Sequence, residues 1–125
     1  MLYVIGIGPG SQATMTGEAL EALQDAEVIV GYKTYTHLVK GLTGDKEVIK
    51  TGMCKEIERC QTALELAMSG RKVALISSGD AGIYGMAGLI LELVSKQGLD
   101  LEVRLIPGMT ASIAAASLLG APLMH

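Results

Sequence analysis

The sequence predicts an α/β domain built on an open, mostly parallel sheet of about five strands flanked by helices, and three observations predict it. Short apolar runs recur that are too continuous for one-sided strands, as at Leu2 to Ile7 and Val73 to Ile76, and suit strands buried on both faces. Amphipathic helical stretches separate them, and glycine-rich segments follow three of the strands. In a parallel sheet with right-handed crossovers, ligands bind outside the carboxyl ends of the strands, where the connecting loops meet. The expectation is therefore a site for one small, flexible ligand, made by the glycine-lined loops. The 125 residues, half of them apolar, suffice for one domain with a sizeable core.

Taken in order, Leu2 to Ile7 reads as a central strand that stops at Gly6-Ile7-Gly8-Pro9-Gly10. Thr16 is the N-cap of a helix to Gln24, with Ala19, Leu20 and Leu23 on one face and Glu18 and Glu21 on the other. Val28 to Val30 is a second strand ending at Gly31, and a short helix follows over Thr34 to Lys40. Gly41 to Gly44 reads as turn and Glu47 to Ile49 as an edge strand. Lys55 to Ser69 is the clearest helix, its stripe formed by Ile57, Cys60, Leu64, Ala67 and Met68, and Gly70 stops it. After the strand Val73 to Ile76 comes the second glycine-rich loop, Ser77 to Gly85, then a helix from Met86 to Lys96 that Gly98 ends. Leu101 to Ile106 alternates as an outer or edge strand does, Pro107 to Thr110 is the third loop, and Ala111 to Leu119 reads as a helix of small residues.

Composition narrows the function. A net charge of −3 gives nucleic acid or an anionic membrane no broad reason to bind. Cys54 and Cys60 form no CxxC and have no histidine cluster, so no metal site is expected, Cys60 reads as a core thiol, and the compartment reads as reducing and cytoplasmic. Met1 leads straight into an apolar strand without a basic targeting region, and no apolar run reaches membrane-spanning length. The core must be Leu, Ile, Val, Ala and Met, because Phe and Trp are absent.

The first loop fails both phosphate-binding templates. The third glycine of Gly6-Ile7-Gly8-Pro9-Gly10 falls one place early for GxGxxG, Pro9 removes an N–H donor, and the second strand ends in Gly31-Tyr32 with no ribose-binding acid. No Gly-Lys-Ser/Thr follows, so a Walker loop is excluded too. What remains is a tight turn that lets a ligand without phosphates approach the backbone. In the second loop Asp80 is placed either to cap the next helix or to accept hydrogen bonds from ligand hydroxyl or amino groups.

The three loops together are more specific. GxGPG after the first strand, SxGDxxxYG from Ser77 to Gly85 and IPGxTA from Ile106 to Ala111 resemble the tetrapyrrole (corrin/porphyrin) methylases, and the resemblance covers all 125 residues as an amino-terminal domain. Within that family Gly31-Tyr32-Lys33-Thr34-Tyr35, Thr51-Gly52-Met53 and Ser77 to Ala87 most resemble the precorrin-3B C-17 methyltransferases, in their cobalt-factor III form. Ala81 stands where most relatives have Pro, which is also usual in the C-17 branch.

The resemblance implies S-adenosylmethionine as cofactor, with Pro9 abutting it, Ser78, Gly79 and Asp80 holding it, Ile83 packing on it, and Thr110 and Ala111 completing the pocket. It implies a cobalt-corrinoid or other tetrapyrrole substrate, methylation at C-17 with ring contraction to cobalt-precorrin-4 in anaerobic cobalamin biosynthesis, and a homodimeric parent enzyme. The family has two α/β domains with the cleft between them. The chain stops at Met124-His125 as if cut, so a carboxyl-terminal domain is expected to be missing and the fragment alone inactive and prone to self-associate.

Catalytic residues do not transfer, because relatives acting on uroporphyrinogen place an acid where this chain has Tyr32. Tyr32 is a candidate for lining the corrinoid cleft, with half-buried packing as the alternative. Lys50 and Lys55 are candidates to meet acidic substituents of a macrocycle, with solvated lysines as the alternative. His37 reads as a surface or packing residue, not a cobalt ligand, and Met109 as a possible cofactor neighbour. Two other readings stay open: another tetrapyrrole methylase or a diphthine synthase, and a non-catalytic binding domain.

Overall fold

The computed structural model describes residues 1–7, 15–53, 55–77 and 86–106. In chain order the elements are β1 (Leu2–Gly6), α1 (Gly17–Asp25), β2 (Val28–Tyr32), α2 (Lys33–Leu38), α3 (Lys40–Thr43), β3 (Glu47–Thr51), α4 (Glu56–Met68), β4 (Val73–Ser77), α5 (Met86–Gln97) and β5 (Val103–Ile106). The strands form one sheet in the order β3-β2-β4-β1-β5, and every pairing is parallel. The expected open parallel α/β sheet is therefore present. The edge positions expected of Glu47 to Ile49 and Leu101 to Ile106 hold for β3 and β5.

Strand pleating divides the core in two. Leu2, Val4, Val28, Val30, Val73 and Leu75 face one side and pack with Cys60, Ala63, Leu64 and Ala67 of α4 and Met86, Ala87 and Ile90 of α5. Tyr3, Ile5, Ile29, Ala74 and Ile76 face the other, against Ala19, Ala22 and Leu23 of α1, with Val39 closing the α2–α3 side. Connections that step from β1 through β2 to β3 thus place their helices on one face, and those that step back through β4 to β5 place theirs on the opposite face. A single handedness of crossover requires this.

Local chemistry sets the boundaries. Thr16 caps α1 as expected, its Oγ1 accepting from the Ala19 N–H at 3.1 Å. Gly70 and Gly98 end α4 and α5 with φ of 98° and 61°, a region open to glycine and strained for other residues. Three expectations need correction. The stripe of α4 is turned from the expected phase: Arg59, Cys60, Ala63, Leu64 and Ala67 are buried, while Ile57 and Met68 are 67% and 45% exposed. Gly41 to Gly44 is mostly not turn but the short helix α3, because Leu42 and Val39 pack onto the α1-side core and Thr43 Oγ1 donates to the Lys40 carbonyl. The helix expected over Thr34 to Lys40 accordingly breaks at Val39. The segment 111–119, expected to be helical, lies outside the described residues.

Candidate functional site at the carboxyl edge of the sheet

β1 and β4 are neighbours whose chains leave toward opposite faces, β1 toward α1 and β4 toward α5. This is a topological switch point, the place where open α/β sheets open a crevice for ligands. Register sharpens it: Gly6 pairs with Ser77 and Ile5 with Ile106, so β4, β1 and β5 end level with one another. The ladder continues to the rim, where the Ile7 N–H donates to the Ser77 carbonyl at 2.9 Å. The three glycine-rich segments of the sequence begin at these three strand ends. Pro9, Ser78, Gly79, Asp80, Ile83, Thr110 and Ala111, and Met109 beside them, lie outside the described residues.

The described rim has its own chemistry. Ser77 is 8% exposed, and its Oγ has no hydrogen-bond partner among the described residues. A buried hydroxyl left unpaired costs free energy, so this atom suits a polar ligand group.

A second group of residues lies beside the switch point. β2 and β4 pair through Val30 and Leu75, and each runs two residues further, which brings Tyr32 level with Ser77. Tyr32 is partly buried, its ring meeting Tyr35 edge-on at 5.4 Å between centroids. The Arg59 guanidinium lies over the Tyr32 ring, 5.8 Å from its centroid. Arg59 Nε donates to Thr51 Oγ1 at 2.6 Å and Nη2 to the Gly52 carbonyl at 3.2 Å. Tyr32, Tyr35, Met53, Glu56 and Arg59 line a cavity of about 250 Å³.

The other sequence candidates do not join this group. Lys50 pairs with Gly31, one residue before the Tyr32–Thr51 pair, so pleating sends it to the opposite face. There it is exposed and lines a separate cavity with His37 and Lys40. Lys55 is exposed and pairs with Glu58 at 3.7 Å. Cys60 is a core thiol as expected, and burial pushes it up to about 11, the nearby Arg59 charge opposing and Glu56 adding to the effect.

Arg59 itself was not singled out by sequence reasoning. The signal was present: it lies four residues before Ala63 and eight before Ala67, so a charged side chain sits on the buried stripe of α4. Reading the stripe through Ile57 displaced its centre and hid the anomaly.

Comparison with known proteins accords with this geometry. The family model for tetrapyrrole (corrin/porphyrin) methylases matches residues 1–125. A probable cobalt-factor III C(17)-methyltransferase of Salmonella typhimurium is 84% identical over the whole chain, which covers 52% of that protein. Among solved structures, the methyltransferase CobJ superposes with a TM-score of 0.81 at 36% identity, covering 99% of this chain and 52% of its own. A uroporphyrin-III C-methyltransferase from Thermus thermophilus complexed with S-adenosylhomocysteine superposes with a TM-score of 0.70 at 25% identity, covering 99% and 53%. The chain spans about half the length of these proteins. Sequence motifs, sheet topology and the match along its full length agree that the chain belongs to the tetrapyrrole (corrin/porphyrin) methylase family.

Proposed function

We propose that this chain is the amino-terminal, S-adenosylmethionine-binding domain of a cytoplasmic enzyme that methylates cobalt-factor III at C-17 in cobalamin biosynthesis. The observation that carries the reading is the convergence of the three motif-bearing segments on level, neighbouring strand ends at the switch point. The 84% identity to a probable cobalt-factor III C(17)-methyltransferase supports the acceptor, and the relative complexed with S-adenosylhomocysteine supports the cofactor.

When bound, S-adenosylmethionine would supply an activated methyl group for transfer to the acceptor carbon. The protein's task is then mainly to place acceptor and donor in line. In this reading Pro9, Ser78, Gly79, Asp80, Ile83, Thr110 and Ala111 hold the cofactor, and the buried Ser77 Oγ at the end of β4 offers it a further polar contact. Asp80 accepts from ligand hydroxyl or amino groups, and the glycines admit close backbone contact. The second half of the enzyme supplies the other wall of the cleft, so this half alone is inactive, and the complete enzyme is a homodimer.

The test is product analysis with the full-length enzyme, cobalt-factor III and methyl-labelled S-adenosylmethionine. Label at C-17 of the product supports the assignment. Label at another corrin carbon moves the enzyme to a different branch of the family, and no transfer to any tetrapyrrole refutes the activity.

A further inference from the structure

Arginine is almost never fully buried unless it is paired, because removing its charge from water is costly. Arg59 is 5% exposed, yet none of the ion pairs among the described residues involves it. Among the described residues its hydrogen bonds go to two neutral oxygens, Thr51 Oγ1 and the Gly52 carbonyl, which orient the guanidinium without neutralising it. A guanidinium carries five N–H donors in a fixed fork, so donors remain after these two bonds. The cavity that Arg59 lines is walled by the rings of Tyr32 and Tyr35 and sits at the carboxyl ends of β2 and β3, on the same edge as the switch point.

From this we infer that Arg59 anchors a peripheral carboxylate of the acceptor and so helps set its orientation over the cofactor. The inference rests on the methyltransferase reading and adds to it a specificity-determining residue. Planar, bidentate donation to a carboxylate is what a guanidinium does best, and the buried setting strengthens it. The cavity volume of about 250 Å³ falls below the roughly 300–1,000 Å³ of sites that enclose a whole drug-sized ligand. It suits one acidic arm of a large ring, the ring itself lying outside. Glu56 is the carboxylate among the lining residues; it is exposed, and none of the ion pairs among the described residues joins it to Arg59.

The experiment uses the full-length enzyme with Arg59→Gln, Arg59→Lys and Thr51→Val, measuring KM and kcat for cobalt-factor III beside calorimetric affinity for S-adenosylhomocysteine. Losing a charge-assisted pair raises KM about tenfold to a hundredfold in Arg59→Gln, with a smaller rise in Arg59→Lys and Thr51→Val. S-Adenosylhomocysteine affinity stays within about twofold of the unaltered enzyme, because its site is the neighbouring crevice. In parallel, the unaltered enzyme binds the free-acid acceptor more tightly than its fully esterified form, and Arg59→Gln loses that preference. A KM and an acid-over-ester preference unchanged in Arg59→Gln would overturn the inference. So would a loss of S-adenosylhomocysteine binding in step with KM, which would make Arg59 a structural staple between α4 and the end of β3. Should Arg59→Gln fail to accumulate, the comparison of acid and ester on the unaltered enzyme decides, and equal affinity overturns it. Failure of the unaltered enzyme to bind S-adenosylhomocysteine would instead strike the methyltransferase reading, and this inference with it.

Discussion

Replacing Gly31 by alanine should destabilise the domain through a single contact. A Cβ on Gly31 would lie 2.5 Å from Ile76 Cγ1, with Ile76 Cδ1 and Thr36 Cγ2 both at 3.2 Å. Carbon atoms in packed interiors sit about 3.5–4.0 Å apart, so the gap is short by about 1 Å. The offending atom is bonded to the Cβ of a fully buried isoleucine and cannot swing clear without changing χ1 inside the core. Overpacking of this kind costs about 1–3 kcal/mol, and a cost of about 2 kcal/mol would lower the urea midpoint by about 1 M at an m-value of about 2 kcal/mol/M. Ile76→Ala alone should cost about 2–5 kcal/mol by leaving a cavity. The double variant should cost no more than Ile76→Ala, since the new methyl group then occupies vacated space. Equilibrium urea unfolding of the four proteins reads the coupling directly. Additivity within about 0.5 kcal/mol, or a Gly31→Ala cost below that figure, would refute the steric account of this glycine.

Other outcomes follow from single contacts. Thr16→Ala removes the side-chain cap of α1 and should cost about 1 kcal/mol in the same assay, with Thr16→Ser close to neutral. Ser77→Ala should leave the stability of the ligand-free chain unchanged or slightly raised, because the Oγ lacks a partner among the described residues, while weakening S-adenosylhomocysteine binding by the full-length enzyme. Cys60 titrates higher folded than unfolded, so its contribution is fully present below pH 9 and is lost as pH rises through about 11; in a Cys54→Ser background, stability should fall over that window by about 2–3 kcal/mol more than in Cys54→Ser/Cys60→Ala. The hydrogen bond from the Tyr3 hydroxyl, and then that from Lys72, holds the Asp25 carboxyl below its ordinary range, so Tyr3→Phe should flatten the loss of stability as pH falls through the acidic range.

The parts of this fold legible in the sequence are those that single segments encode. Leu2 to Gly6 and Val73 to Ser77 are buried on both faces, and an apolar run of that length between glycine-rich or polar turns says so. Thr16, Gly70 and Gly98 mark helix ends because capping is local chemistry. Strand order is different in kind: nothing in the periodicity of β4 says that it inserts between β2 and β1, yet that insertion creates the switch point. The phase of α4 is not legible in the sequence because Ile57 is as apolar as a core residue, and the packing against β4 and α5 gives Arg59 the buried place and turns Ile57 out. Tyr32 is legible as a candidate from its position at a strand end, whereas its partners Thr51 and Arg59 come from elements nineteen and twenty-seven residues away in sequence. Lys50, a sequence candidate to meet acidic substituents of a macrocycle, does not share a face with Tyr32 for a local reason: the β2–β3 register places it opposite Gly31, on the other side of the pleat.

The most direct test of the central claim, that the loops at the β4-β1-β5 edge hold S-adenosylmethionine, is calorimetric titration of the full-length enzyme with S-adenosylhomocysteine. NAD and ATP serve as controls, and an Asp80→Ala variant is titrated beside it. Saturable binding of S-adenosylhomocysteine alone, weakened at least about tenfold in Asp80→Ala, is the expected result. Equal binding in the variant, or preference for a phosphate-bearing control, would contradict it.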